Sequence, residues 1–140
     1  MVFICNHCPY VKASINRIVA EAKALREIDI GTIAIMPNDT AAYPEDSFDN
    51  MKTFAARHGF TFPYVIDTTQ EVARAYDAQC TPDFFGFNAQ EELQYRGRLD
   101  ASRMTPRPVC SHETDRRDGP WGAKAVPLDG LFDQMEGLIL

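Results

Sequence analysis

The sequence lacks a long hydrophobic run. Only four apolar residues precede Cys5, and no later run approaches the length of a membrane-spanning helix. An apolar stretch of that size is too short for a secretory signal, so we expect a cytoplasmic protein with no membrane partner.

Positive charge is also scarce. Lys and Arg together number 14 against 20 Asp and Glu, which gives a net charge of −6. This balance disfavours general binding to nucleic acid, and we expect no nucleic-acid partner. Cysteine is limited to four residues, too few for a fold stapled by disulfides.

The length of 140 residues suits a single domain with one hydrophobic core. We predict that residues 1–100 form this core. The segment 101–127 has no hydrophobic period and several Pro and Gly residues, so we expect it to be irregular. Apolar residues recur at helical spacing over 128–140, which predicts a final amphipathic helix that docks on the sheet.

The chain begins with a short apolar strand that leads directly into two cysteines. Met1–Ile4 is apolar, the sequence C-N-H-C follows from Cys5 to Cys8, and Pro9 opens a helical pattern. Proline is well tolerated in the first turn of a helix. Because a helix N-terminus stabilises a thiolate, this placement predicts a lowered pKa for Cys5 and a reactive pair of thiols.

The next segments alternate between helix and strand. Helical spacing of apolar residues predicts an amphipathic helix over Pro9–Glu27, and the β-branched run Ile30–Met36 predicts a buried parallel strand. Together with the first strand they form a right-handed βαβ unit. Ser47 is placed to cap a second helix, which Gly59 ends.

The following part of the chain predicts two more strands and a short helix. Pro63 precedes Tyr64–Ile66, which we interpret as an edge strand. Thr68 and Glu71 have the spacing of a capping box for a short helix. The segments Asp83–Asn88 and Leu93–Arg98, with a turn between them, predict a hairpin.

The sequence Cys80-Thr81-Pro82 becomes important if the strand after it pairs antiparallel with the first strand. In that arrangement Thr81 and Pro82 lie opposite the two cysteines. We predict a cis peptide bond between Thr81 and Pro82, which would leave the Thr81 backbone free to pair with an extended peptide. Cys80 is interpreted mainly as a buried, packed thiol, with a third redox thiol as the alternative.

Two stretches of the chain resemble one known family. The sequences F-I-C-N-H-C-P-Y-V-K and C-T-P-D-F-F-G-F-N, with Y-R-G-R-L-D after them, are similar to those of thioredoxin-like proteins of the redoxin or AhpC/TSA-like branch. The resemblance implies an α/β thioredoxin-like fold, a central mixed sheet between helices in three layers. It also implies that Cys5 attacks, that Cys8 resolves and that Pro82 is the cis-proline.

The family normally carries further elements before the cysteine-bearing strand. We therefore expect an N-terminally shortened fold with apolar surface left open on one sheet face. Such a surface predicts either a homodimer formed through it or a chain of marginal stability.

The leading functional hypothesis is thiol–disulfide exchange between the Cys5–Cys8 pair and a protein disulfide or dithiol, or a small thiol. His7 either stabilises the Cys5 thiolate or is a spacer. We expect no cofactor.

Three alternatives remain open at this point. One is a peroxidase in which Cys8 attacks peroxide. Another is a zinc site made by Cys5, His7, Cys8 and Cys80, although we favour no metal. The last is a fragment without activity of its own.

Overall fold

The computed structural model describes residues 1–99 and the strand Leu138–Ile139. Six strands form one mixed sheet in the order β5-β4-β1-β2-β3-β6. The strands are β1 (Val2–Phe3), β2 (Ala34–Met36), β3 (Tyr64–Ile66), β4 (Asp83–Phe87), β5 (Leu93–Gly97) and β6 (Leu138–Ile139). The helices are α1 (Pro9–Glu27), a 3-10 helix (Pro44–Asp46), α2 (Phe48–His58) and α3 (Glu71–Ala75).

The strand β1 lies at the centre of the sheet. It pairs parallel with β2 and antiparallel with β4, where Phe3 is opposite Asp83. The strand β2 also pairs parallel with β3, so the strands β1, β2 and β3 end at the same edge of the sheet. The loops that follow these three strands therefore meet at that edge, and β4 starts beside them.

The two faces of the sheet carry separate apolar clusters. Because side chains alternate along a strand, Val2 and Ile4 face one side and Phe3 faces the other. The first cluster contains the buried residues of α1 and α2, and the second contains Val72 of α3. Helices therefore cover both faces, which confirms the predicted three-layer α/β arrangement with a thioredoxin-like sheet.

Helix α1 has the predicted bounds. Pro9 occupies its first turn, and its buried residues are Val11, Ser14, Ile15, Ile18, Val19 and Ala22. This spacing places one continuous stripe against the sheet. Helix α2 ends at Gly59, which has a left-handed conformation with φ 64°. Within the described residues, no helix has the length and apolar character needed to cross a membrane.

The structure corrects two predictions about strands. The predicted C-terminal helix over 128–140 is wrong at Leu138–Ile139, which forms the strand β6 antiparallel to β3. Leu138 and Ile139 are apolar and fit the helical spacing of 128–140, but a short apolar run is also compatible with a strand. Backbone pairing with β3 decides between the two. For the same reason β3 is an inner strand and the predicted edge position is wrong. The rest of the predicted helix, and the irregular segment 101–127, lie outside the described residues.

Two predicted caps also differ. Ser47 is the N-cap residue of α2, but its side chain makes no capping hydrogen bond. The N-cap of α3 is Gln70, and the Thr68–Glu71 capping box does not form. The carboxylate of Asp67 accepts a hydrogen bond from the Ala73 N–H at 2.9 Å instead. A buried carboxylate one residue closer to β3 therefore takes the place of the predicted threonine.

Candidate active site

The two cysteines lie where β1 ends and α1 begins. Cys8 is the N-cap residue of α1, and Cys5 follows β1 after one buried residue, Ile4. Both are free thiols, Cys5 being buried at 2% exposure and Cys8 half-buried. The strand and the helix are both fixed by core packing, so the loop between them, residues 4–8, is held at both ends.

Thr81 contacts both thiols. The Cys5 Sγ lies 3.4 Å from the Thr81 hydroxyl oxygen, and the Cys8 thiol donates to the Thr81 carbonyl oxygen at 3.3 Å. The peptide bond between Thr81 and Pro82 is cis. Antiparallel pairing of β4 with β1 brings this segment to the loop, as the order of the strands predicts.

The pKa of Cys5 is raised, and the lowered pKa predicted from the sequence is wrong. Burial of the thiol is the largest cause, and the nearby Asp46 carboxylate adds to it. Hydrogen bonds from the Thr81 side chain and from the Cys8 backbone act in the opposite direction but are smaller. The prediction considered only the helix N-terminus, which lowers a thiol pKa. The burial of Cys5 next to a central strand, which raises the pKa, cannot be read from the sequence.

Asp46 is a fully buried carboxylate directly behind the loop. Its Oδ1 accepts hydrogen bonds from the backbone N–H of Asn6 at 2.7 Å and of His7 at 3.3 Å. Its Oδ2 lies 2.7 Å from Nδ1 of His7 and accepts a hydrogen bond from Nδ2 of Asn38 at 2.7 Å. Three N–H groups and the Nδ1 of His7 thus surround one carboxylate, whose burial without hydrogen-bond partners would be costly.

Asn6 is a second anchor of the loop. Its Nδ2 donates to the Glu45 carbonyl oxygen at 3.0 Å, and its Oδ1 accepts a hydrogen bond from the Tyr64 hydroxyl at 3.0 Å. Burial raises the pKa of Tyr64 well above its ordinary value, so the hydroxyl stays protonated and remains a donor. Asn6, for which no role was predicted, therefore ties the loop to β3 and to the 3-10 helix.

His7 is held between a carboxylate and an aromatic ring. Its imidazole stacks on Tyr43, with ring centroids 5.0 Å apart and planes 9° from parallel. Asp46 holds its Nδ1 edge, and about a third of the side chain is exposed. His7 is therefore a fixed and partly exposed imidazole. Its effect on the Cys5 thiolate stays a prediction.

Cys80 is exposed, so the packed interpretation of this residue is wrong. Its Sγ lies 3.9 Å from the Pro82 carbonyl oxygen. Partial desolvation and the nearby Asp83 carboxylate raise the pKa of Cys80.

The predicted set of four zinc ligands is not brought together. Among the described residues, the group whose ligand atoms all lie within 4.8 Å of one another is Cys5, His7 and Asp46. The Asp46 oxygens already accept hydrogen bonds, and 2.7 Å between His7 Nδ1 and Asp46 Oδ2 is a hydrogen-bond distance. This cluster is therefore organised as a hydrogen-bonded network.

Three residues of the site were not predicted from the sequence: Asp46, Tyr43 and Tyr64. One signal could have found Asp46. The strands β1 and β2 were both predicted and parallel, so the polar loop after β2 had to lie beside the cysteines at the same sheet edge. Tyr43 follows from the same argument, whereas Tyr64 faces the loop only through the register of β3 with β2.

Comparison with known proteins gives relatives of similar fold. A conserved uncharacterised protein from Geobacillus kaustophilus is 49% identical, with a TM-score of 0.74 over 77% of this chain and 58% of that one. A hypothetical protein from Sinorhizobium meliloti is 34% identical, with a TM-score of 0.70 over 77% of this chain and 57% of that one. The chain thus spans less than two thirds of either relative's length. A search of the curated proteins finds no match.

The family comparison covers all of the residues that form the site. Residues 1–97 match the AhpC/TSA family, and this range contains the cysteine loop, Asp46 and the Thr81–Pro82 segment. The family supports a thiol-dependent redox or peroxidase function in general. The chain belongs to the AhpC/TSA family.

Proposed function

We propose that the protein is a thiol–disulfide oxidoreductase whose Cys5 and Cys8 exchange a dithiol for a disulfide. The observation that carries this proposal is the position of Thr81, whose hydroxyl contacts Cys5 and whose carbonyl oxygen contacts Cys8. One residue thereby presents different hydrogen-bonding groups to the two thiols. Family membership supports thiol-dependent redox chemistry in general.

We assign the first attack to Cys5 because only a thiolate attacks a disulfide. The Thr81 hydroxyl and the Cys8 backbone N–H can both donate to a Cys5 thiolate. The group facing the Cys8 thiol is a carbonyl oxygen, which accepts from a thiol and repels a thiolate. Burial of Cys5 disfavours its thiolate and so acts against Cys5 as the first attacking thiol. It also means that a partner disulfide has to reach a buried sulfur.

In the reaction, the Cys5 thiolate forms a bond with one sulfur of the partner disulfide, and the partner's own S–S bond breaks. The other partner sulfur leaves as a thiolate and takes up a proton. Cys8, after losing its proton, attacks the Cys5 sulfur and releases the second partner thiolate, which is protonated in turn. The pair is oxidised by two electrons and the partner disulfide is reduced to two thiols. The reverse direction uses the same steps.

The partner in this proposal is a protein disulfide or dithiol, or a small thiol. Tyr43 and Tyr10 are about half exposed, and Tyr43 stacks on His7 beside the cysteines. Exposed aromatic rings next to the thiols provide apolar contact for a polypeptide that carries a disulfide.

Trapping of mixed disulfides tests the proposal. The Cys8→Ser variant should accumulate a mixed disulfide at Cys5 with a disulfide-containing peptide, because the resolving thiol is absent. The Cys5→Ser variant should accumulate much less, and Cys80→Ser is the matched control that should turn over like the parent protein. Trapping only in Cys5→Ser would reverse the assigned order, and trapping in neither would defeat the proposal.

A second candidate is a peroxidase in which Cys8 attacks peroxide. It is favoured by the greater exposure of Cys8 compared with Cys5, and family membership is compatible with it. Peroxide consumption by the reduced protein, with and without a thiol reductant, distinguishes the two. Consumption abolished by Cys8→Ser but retained by Cys5→Ser would favour the peroxidase.

A further inference from the structure

The thiol assigned to attack is poorly suited to ionise unaided. Cys5 is buried, and both burial and the Asp46 charge raise its pKa. A reaction through its thiolate therefore needs a nearby group that accepts the proton. The Sγ of Cys5, a ring nitrogen of His7 and a carboxylate oxygen of Asp46 all lie within 4.8 Å of one another.

Asp46 determines which imidazole nitrogen can accept that proton. Its Oδ2 lies 2.7 Å from His7 Nδ1, and because an ionised carboxylate only accepts hydrogen bonds, this contact requires a hydrogen on Nδ1. In a neutral ring Nε2 then has the free lone pair. The Tyr43 ring stacked on His7 fixes the plane of the imidazole, and the Asn6 and His7 backbone N–H groups fix the carboxylate.

We propose that Asp46 is a positioning residue for the exchange reaction, which keeps the His7 proton on Nδ1 so that Nε2 carries the proton that moves. This inference rests on the proposed function. Nε2 takes the proton of the attacking thiol and gives it to the sulfur that leaves the partner disulfide. It then takes the proton of Cys8 and gives it to the second partner sulfur, so the ring is neutral again at the end.

The hydrogen-bond partners of Asp46 predict what an isosteric amide would do. In Asp46→Asn one oxygen becomes an NH₂ donor. The backbone N–H groups of Asn6 and His7 cannot become acceptors, so the remaining oxygen must face them. The NH₂ group must then face His7 Nδ1 and the Asn38 side chain, which can turn its own oxygen inward. His7 Nδ1 becomes an acceptor, and its proton moves to Nε2.

Nitrogen NMR of histidine-labelled protein at mildly alkaline pH tests this directly, because the two neutral tautomers have different ¹⁵N shifts. A His7→Gln variant assigns the His7 signals among the three histidines. The parent protein should show the Nδ1–H tautomer, and Asp46→Asn should show the Nε2–H tautomer. An Nε2–H tautomer in the parent protein would overturn the proposal, and this measurement needs no variant of Asp46 to fold.

Exchange kinetics give the second readout. Asp46→Asn should slow exchange by roughly tenfold or more, as expected when a proton-transfer group is misoriented. In the His7→Gln background, the same change should slow it by no more than about twofold, because the group it positions is gone. An equal loss in both backgrounds would show that Asp46 acts without His7 and would overturn the proposal.

Asp67→Asn is the matched control. Asp67 is also a buried aspartate that follows a strand, but its carboxylate accepts a hydrogen bond from the Ala73 N–H in α3. It should lower stability without changing the His7 tautomer or the exchange rate. Failure of the parent protein to exchange any disulfide would overturn the proposed function, whereas the tautomer measurement would still decide whether Asp46 keeps the His7 proton on Nδ1.

Discussion

At the scale of single residues, the site depends on polar side chains that are buried and fully paired. Asn6, Asp46 and Tyr64 lie in the interior, and each has hydrogen-bond partners within the cysteine loop or directly behind it. Within the described residues, every buried side-chain nitrogen and oxygen has a partner. Such networks fix geometry because breaking one bond leaves an unpaired group in a low-dielectric interior.

Two buried groups of the site, the Cys5 thiol and the Tyr64 hydroxyl, should make the protein less stable at alkaline pH. Burial raises the pKa of Cys5 above 9.0 and that of Tyr64 well above 10.0. Because each folded-state pKa exceeds its unfolded value, the unfolded chain loses these protons first. The stabilisation is therefore complete below the unfolded pKa and is lost as the pH rises through the folded pKa.

Urea unfolding between about pH 8 and about pH 11 measures this effect. The free energy of unfolding should fall over this range, and Tyr64→Phe should make the fall shallower. Tyr10→Phe, which changes a half-exposed tyrosine, is the control and should leave the slope as it is. A free energy that is constant over the range, or an equal slope in Tyr64→Phe, would contradict the explanation.

At the scale of elements, the helix bounds could be predicted from local sequence, whereas the capping interactions could not. Pro9 and the apolar stripe determine α1, and Gly59 ends α2, so both could be predicted. The caps of α2 and α3 could not, since Ser47 makes no capping bond and Asp67 takes the place of Thr68. A cap depends on which way a side chain turns after the chain has left a strand, and spacing alone does not contain that direction.

Gly59 allows a stability prediction at this scale. Its φ of 64° is in the left-handed region, where a Cβ atom is unfavourable even though nothing lies within 4 Å of it. Gly59→Ala should lower the free energy of unfolding by about 1 kcal/mol.

Gly31→Ala is the matched control for this change. A Cβ atom at Gly31 also meets nothing within 4 Å, and Gly31 does not have a positive φ. Denaturant unfolding should show no loss for Gly31→Ala. An equal loss in the two variants would mean that the backbone conformation at Gly59 is not what makes glycine necessary there.

At the scale of the whole molecule, the order of elements was enough to predict the sheet. The βαβ unit, the antiparallel strand after Pro82 and the final hairpin lead to β5-β4-β1-β2-β3, the first five strands of the observed order. The strand β6 was missed because Leu138 and Ile139 fit helical spacing equally well. The predicted approach of Thr81 to the cysteines follows from this topology. The same topology brings the loop after β2 to the cysteines, but it does not say which side chain of that loop is buried there, and Asp46 was missed for this reason.

The domain boundaries over 1–140 and the homodimer stay predictions, as does the cytoplasmic location. For the relatives in G. kaustophilus and S. meliloti, the matching part is less than three fifths of their length. The activity of the complete proteins is therefore a separate question from the chemistry of this site. The site itself lies entirely within residues 1–97, the range that matches the family.

The central claim is that Cys5 and Cys8 form a reversible redox pair, and disulfide mapping across a series of glutathione redox buffers tests it most directly. The protein should gain one Cys5–Cys8 disulfide under oxidising conditions and lose it under reducing ones, in a single two-electron transition. Cys80 should not be needed, so Cys80→Ser should give the same transition. The absence of a Cys5–Cys8 disulfide at every buffer ratio, with oxidation confined to Cys80, would contradict the account.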